Sequence, residues 1–213
     1  NNPSNLLVVM ELDLTNTTVT GNPTARIENK GNIIINEKGY ASNVTYPRIV
    51  GMQLAPLYSE SSIKGEVINS GKITLQNTPD YPIGTVGPTP TAILINNGTV
   101  SPVADVRIGN IDLAGFSGIG VEISGTNQTP LTNVNIDGSG GVVSLSGSYN
   151  KGIVVSAPVG VSAVNGLVGN IKNLNFELNS NNGSAFEINL TSGENILIDN
   201  DLTPTGLLNS FLY

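Results

Sequence analysis

The chain has 213 residues, of which 12% are charged, and its formal net charge at pH 7 is −7. It contains no Cys, no His and no Trp. The acidic balance argues against nucleic acid or an anionic membrane as a partner, because binding to either requires a basic surface. No apolar run approaches the ~20 residues of a membrane helix, so we predict that the mature chain has no membrane span.

The missing residue types restrict the chemistry that the chain can perform. Without Cys there is no disulfide framework and no thiol nucleophile, and without His the commonest general base and metal ligand are absent. Without Trp, and with 5% aromatic residues, we do not expect a surface that stacks against sugars. We predict that the protein is not an enzyme and has neither a metal site nor a cofactor.

The first predicted element is a strongly apolar strand within residues 4–15. Alternation along a strand puts successive side chains on opposite faces, so one face carries five apolar residues: Leu6, Val8, Met10, Leu12 and Leu14. Residues 16–23 are rich in Asn, Thr, Gly and Pro and predict a linker. We divide the chain into a donor strand with its linker, residues 1–23, and a head domain, residues 24–213. The alternative is an ordinary first strand of its own domain.

Beyond the linker, short alternating segments are separated by Gly, Asn, Pro, Ser and Thr, which predicts many short strands and no helix. A Gly-x-Ile-x-apolar motif begins at Gly31, Gly71 and Gly109. A second motif, in which a small residue precedes an apolar, a variable and an apolar residue, begins at five positions: Gly51, Ala92, Gly120, Gly152 and Ala185. Regular spacing of such motifs favours a solenoid, and irregular spacing favours a sandwich. Here the spacing is mixed. We predict an all-β, immunoglobulin-like β-sandwich, with a right-handed parallel β-helix as the alternative.

The acidic residues give little indication of a reaction. Glu122, Glu177 and Glu187 alternate with apolar residues, as solvent-facing side chains of half-buried strands do. Two clusters offer oxygen ligands for calcium: Asn133, Asn135 and Asp137 before Gly138, and the consecutive Asp199, Asn200 and Asp201. Neither meets the full EF-hand pattern. Val134 and Ile136 alternate with the polar residues of the first cluster, so a strand that runs into a turn is the better interpretation there.

The chain carries possible sites for N-linked glycans, the one covalent group that we predict. The first residue is Asn rather than an initiator Met, which is typical of a mature extracellular chain after signal removal. The Asn-x-Ser/Thr pattern of N-glycosylation begins at six asparagines: Asn16, Asn43, Asn97, Asn127, Asn182 and Asn189. All but Asn189, which sits at a strand end, fall in polar segments that resemble turns.

Residues 118–131 have the sequence Gly-Ile-Gly-Val-Glu-Ile-Ser-Gly-Thr-Asn-Gln-Thr-Pro-Leu. This segment resembles a strand and turn of bacterial chaperone–usher pilins. The apolar first strand is similar to a pilin donor strand, although the chain lacks the usual pilin cysteines. With its glycosylation patterns and low charge, the chain looks most like the thread filament subunits of thermoacidophilic Sulfolobales archaea. That resemblance implies an immunoglobulin-like head, head-to-tail polymerisation of identical subunits by donor-strand complementation, and heavy N-glycosylation.

A second resemblance points to another class of protein. Residues 27–33 and 67–73 look like rungs of the β-helices in passenger segments of bacterial autotransporter adhesins. From the sequence we therefore expect a structural subunit of an extracellular surface filament, with a role in adhesion or biofilm formation. The alternative is a β-helical passenger segment of an adhesin.

Overall fold

All regular elements in the described part of the chain are β-strands. The structure is a computed structural model, and it describes residues 6–13, 24–37, 48–54, 64–77, 89–97, 104–125, 134–156, 166–189, 194–199 and 205–206. Within these ranges we found no helix of the length and apolarity needed to cross a membrane. The all-β class is therefore confirmed for the described residues.

Three successive strands make one turn of the chain, which we call a coil. The first coil contains β1 (Leu6–Leu12), β2 (Thr24–Asn29) and β3 (Asn32–Glu37), and the second contains β4 (Arg48–Leu54), β5 (Lys64–Asn69) and β6 (Lys72–Asn77). The third contains β7 (Thr91–Asn97), β8 (Ala104–Arg107) and β9 (Asn110–Leu113), and the fourth contains β10 (Ile119–Gly125), β11 (Val134–Asp137) and β12 (Val143–Ser148). The fifth contains β13 (Lys151–Ser156), β14 (Gly166–Lys172) and β15 (Phe176–Asn181), and the sixth contains β16 (Ser184–Asn189), β17 (Glu194–Asp199) and β18 (Thr205–Gly206).

Each strand pairs in parallel with the strand three positions away, so the strands form three six-stranded sheets. Sheet A has the order β1-β4-β7-β10-β13-β16, sheet B runs from β2 to β17, and sheet C runs from β3 to β18. An immunoglobulin-like sandwich is built from antiparallel pairs, and consecutive strands often share a sheet. Here consecutive strands lie in different sheets, so the order does not fit the predicted sandwich. It fits the alternative prediction, a parallel β-helix, better.

The core is built from side chains that stack in columns from coil to coil. In sheet C, Ile33 aligns with Ile73, Ile73 with Ile111, and the column continues through Val143 to Phe176. All five side chains are buried. Full burial of each aliphatic side chain contributes roughly 1.5–3 kcal/mol on the area scale, before the entropic cost of ordering. The Gly-x-Ile-x-apolar motif therefore supplies the first three residues of this column, Ile33, Ile73 and Ile111.

In sheet A the inward–outward alternation of side chains breaks at one register position, which we call the bend and which carries a small residue in each strand but β1. Ala92 and the next residue, Ile93, both pack in the core, and Ala185 and Phe186 do the same. At the equivalent Gly152, an added Cβ would lie 2.6 Å from the carbonyl oxygen of Ala185, so little room remains there. Two consecutive inward residues interrupt the alternation of an ideal strand. This bend explains why the second motif begins with a small residue.

The corner between sheets B and C is held by buried asparagines. Asn29 Nδ2 donates to Asn69 Oδ1 at 2.8 Å, and Asn69 Nδ2 donates to the carbonyl oxygen of Ile108 at 2.8 Å. The turns are so tight that a Cβ on Gly71 would collide with the carbonyl oxygen of Gly31. These bonds satisfy backbone and amide groups that would otherwise be buried without partners.

A single buried asparagine organises the corner between sheets C and A. Asn150 Nδ2 donates to the carbonyl oxygens of Leu113 at 3.1 Å and Gly115 at 2.9 Å. Its Oδ1 accepts the backbone N–H of Gly118 at 2.8 Å. One side chain therefore connects the fourth coil to the third at the point where the chain changes sheets.

Candidate functional site

The predicted donor strand lies beside another strand of its own chain. β1 pairs in parallel with β4, with Leu6 opposite Arg48 and Leu12 opposite Leu54. Of the predicted donor residues, Met10 and Leu12 pack against the core, and Leu14 lies outside the described residues. The pairing of β1 with β4 in its own chain does not test whether β1 also inserts into a neighbouring copy. Insertion into a neighbour, and the division of the chain after residue 23, both stay predictions.

The bend in sheet A divides the predicted donor face. Val8 aligns with Val50, which in turn aligns with Thr91. The Thr91 hydroxyl accepts a hydrogen bond from Arg48, on the outer side of the sheet. Val8 therefore lies at an outer register position, whereas Met10 faces the core. Simple alternation assigned them to one face because the sequence of β1 has no small residue to mark the bend.

β1 has one free edge among the described strands, and apolar side chains are exposed beside it. The exposed fractions are 54% for Leu7 and 55% for Val9. Leu7 takes the register position of Ile49, which packs against the core one coil further along. A free strand edge presents unpaired N–H and C=O groups to which another strand can add. Backbone pairing and apolar contact are therefore both available at this edge.

The outer side of sheet A is also buried and contains an ion pair that spans three coils. Arg48 of the second coil pairs with Glu122 of the fourth and hydrogen-bonds to Thr91 of the third. Gln53, on the same side, is 4% exposed, and its Oε1 has no hydrogen-bond partner among the residues that the structure describes. The pair is partly buried, with exposed side-chain fractions of 27% for Arg48 and 14% for Glu122, so breaking it would leave one charge unpaired where solvent access is limited.

Further ion pairs connect neighbouring coils on the surface. Nζ–carboxylate distances are 3.1 Å for Lys72 and Asp112, 2.5 Å for Lys151 and Glu187, and 3.8 Å for Lys172 and Asp137. Asn135 Nδ2 likewise donates to Asp105 Oδ1 of the coil before it, at 3.0 Å. Exposed pairs of this kind are individually weak. Their common feature is that they run from coil to coil.

Two carboxyl groups that form contacts between coils, Asp137 and Glu28, have lowered pKa values. Burial raises the pKa of Asp137, but hydrogen bonds from Asn173 and the Ser139 N–H, together with the Lys172 charge, lower it by more. The hydrogen bond from the Ser70 hydroxyl is the largest cause of the lowered pKa of Glu28. Asp137 ends β11 and is followed by a turn, as the sequence predicted.

The six predicted glycosylation sites fall into two groups. Asn16, Asn43 and Asn127 lie outside the described residues. Asn97 is the last residue of β7, and Asn182 and Asn189 are exposed. Asn189 Nδ2 lies 3.5 Å from Glu187 Oε1. Asn182 lies in the turn before β16 with a positive φ of 55°. Occupancy at each of these positions stays a prediction.

One group of exposed residues was missed by sequence reasoning. Phe116 and Tyr149 come together at the corner between sheets C and A, with ring centroids 5.1 Å apart. Their distance along the chain hides this contact, because it arises only when the third and fourth coils stack. The signal in the sequence is that each ring lies shortly before a copy of the second motif: Phe116 before the copy that begins at Gly120, and Tyr149 before the copy that begins at Gly152.

Comparison of the chain with protein-family models, with curated proteins and with solved structures found no match. The strand that carries the pilin resemblance is β10, in the interior of sheet A, and residues 126–131 of that motif lie outside the described residues.

Proposed function

We propose that the chain is a non-catalytic, β-helical segment of an extracellular adhesin, in which a rigid rod carries adhesive or spacing surfaces. The observation that carries this proposal is the use of polar side chains between coils. Lys72, Lys151 and Lys172 pair with carboxylates of neighbouring coils, and Asn29 and Asn69 hydrogen-bond to the next coil. These side chains support the stacking of coils, which is what a rod requires.

A second candidate, the filament subunit, is favoured by the free edge of β1. In this candidate the edge that carries Leu7 and Val9 pairs with the far end of sheet A in another copy, at β16. Such a contact joins two different surfaces and does not close, so it produces a filament of identical subunits. The roles of adhesion and biofilm formation are compatible with both candidates.

Imaging of the purified chain by electron microscopy separates the two candidates. The adhesin proposal expects single rods of constant length and binding of the labelled chain to a panel of cell surfaces and glycan arrays. The filament candidate expects polymers that the Val9→Lys substitution abolishes, because the new charge would be buried at the junction. Ile34→Lys is the matched control, since Ile34 is exposed in the first coil on β3. Polymers combined with no surface binding would contradict the adhesin proposal.

A further inference from the structure

The corner between sheets C and A repeats an unusual backbone conformation in three coils. Ser117, Tyr149 and Asn182 have positive φ angles of 57°, 58° and 55°. Each precedes by two residues one of the aligned positions Ile119, Lys151 and Ser184. Because register and conformation agree, the three residues occupy one column in the third-to-fourth, fourth-to-fifth and fifth-to-sixth coil turns.

Tyr149, the middle residue of this column, belongs to an exposed aromatic pair. Tyr149 is 49% exposed and Phe116 is 38% exposed, and their rings meet edge to face at an angle of 60°. Phe116 comes directly before Ser117, so it supports Tyr149 from the preceding coil. Exposure of two aromatic rings at one corner is unfavourable unless something covers them.

Asn182 follows Tyr149 in the column and begins the pattern Asn182-Gly183-Ser184. Its side chain is exposed, and its φ matches that of Tyr149 to within a few degrees. Side chains on equivalent backbones leave in the same direction, and neighbouring parallel strands lie ~4.8 Å apart. A group attached to Asn182 Nδ2 therefore starts one coil beyond Tyr149, on the side away from the coil turn that carries Phe116.

We propose that Asn182 is N-glycosylated and that its first sugar ring stacks on Tyr149. The apolar C–H face of a pyranose packs against an aromatic ring, and the Tyr hydroxyl supplies a polar contact at the edge. This inference rests on the extracellular location in the proposed function. It also revises the expectation, drawn from the few aromatic residues, that the chain has no surface that stacks against sugars.

The attachment requires a lipid-linked sugar phosphate as donor. The Asn182 Nδ2 forms a bond to the anomeric carbon, the bond between that carbon and the phosphate oxygen breaks, and the lipid phosphate leaves. The amide nitrogen gives up one proton to a base of the transferase. Ser184 is buried in the folded chain, and the pattern requires its hydroxyl, so the transfer precedes packing of the sixth coil.

Mass spectrometry of the full chain, produced in a host that transfers N-glycans, tests occupancy at the six predicted sites. We expect a glycan at Asn182. Glycans at other sites with none at Asn182 would overturn this inference and leave the extracellular proposal standing. A chain without glycans at any site would count against both.

Thermal unfolding tests the stacking. In the glycosylated chain, Tyr149→Asn should lower Tm by about 2–4 °C, the size of shift that a modest interaction gives in a chain of this length. Asn is chosen because it tolerates positive φ. In an Asn182→Gln background the Tyr149→Asn change should have less than half this effect. In the glycosylated chain, Tyr149→Phe should keep most of the original Tm, because it retains the ring. Equal losses in both backgrounds would overturn the stacking.

Discussion

The first and fourth coils place similar side chains at the same register positions, yet they bury them differently. In the fourth coil, Val121 and Ile123 are buried to within 1% exposure, whereas the equivalent Met10 and Leu12 of the first coil are only partly buried. The fourth coil is paired on both sides, and the first is paired on one side among the described strands. Burial in this fold therefore depends on the neighbouring coil as much as on the residue itself.

The largest expected effect tests this comparison with two methionines. Met10 and Met52 align in sheet A, but Met52 is fully buried. We expect Met52→Ala to reduce the free energy of unfolding by about 2–5 kcal/mol, because it leaves a cavity between coils. Met10→Ala should cost roughly 1 kcal/mol, since part of that side chain is already in water. Urea unfolding of both variants measures the difference.

Equal losses for the two methionine variants would contradict the dependence on neighbouring coils. A larger cost for Met10→Ala in assembled material than in single chains would instead indicate that another copy covers the first coil. The same pair of variants therefore distinguishes a free end from an occupied one.

A smaller effect is expected at the corner between sheets B and C. Asn69 is buried and donates to the carbonyl oxygens of Ile108 and Asn110. Asn69→Ala should reduce the free energy of unfolding by about 1–3 kcal/mol, because those acceptors and Asn29 lose a buried partner. Asn110→Ala is the control, since its exposed side chain accepts one bond, from the Val142 N–H. Its cost should stay near ~0.5–1.5 kcal/mol, and a reversed order would show that the asparagine contacts are not what holds this corner.

The sequence motifs predicted the columns of the fold better than they predicted its architecture. Ile33, Ile73 and Ile111 belong to a motif that was visible in the sequence, and they stack in sheet C. Leu113 and Ile123 are ten residues apart in the sequence, as are Leu145 and Val155, and both intervals cross the short corner between sheets C and A. The period remained hidden because the register advances by 42, 41, 28, 32 and 33 residues from coil to coil.

The candidate surfaces were less predictable, for physical reasons. The bend at the small residues of sheet A is a property of stacked strands, so alternation within β1 alone placed Val8 and Met10 on one face. The contact between Phe116 and Tyr149 depends on register between distant segments. Local periodicity carries information on which residues face inward along one strand, and it carries none on which corners of successive coils coincide.

The smallest expected effect is a pH dependence that compares a middle coil with the first coil. Asp137 lies in the fourth coil and Glu28 in the first, and both have pKa values below their ordinary values of 3.8 and 4.5. Because the folded-state pKa is the lower one, each carboxylate contributes stability that is complete above the ordinary pKa and is lost as the pH falls through the folded-state pKa.

We therefore expect the free energy of unfolding of the Asp137→Asn variant to fall less steeply than that of the unchanged chain as the pH drops below about 4. The change should be a few tenths of a kcal/mol, because the ion pair with Lys172 is partly exposed. Glu28→Gln should flatten the same region by less, since among the described residues Glu28 interacts across one coil interface, through Ser70. Asp137 contacts Lys172 and Asn173 of the following coil with both carboxylate oxygens.

Unfolding measured at closely spaced pH values decides which of the two substitutions has the larger effect. A larger effect for Glu28→Gln would mean that local charges such as Arg26, rather than contacts between coils, set the acid sensitivity of this fold.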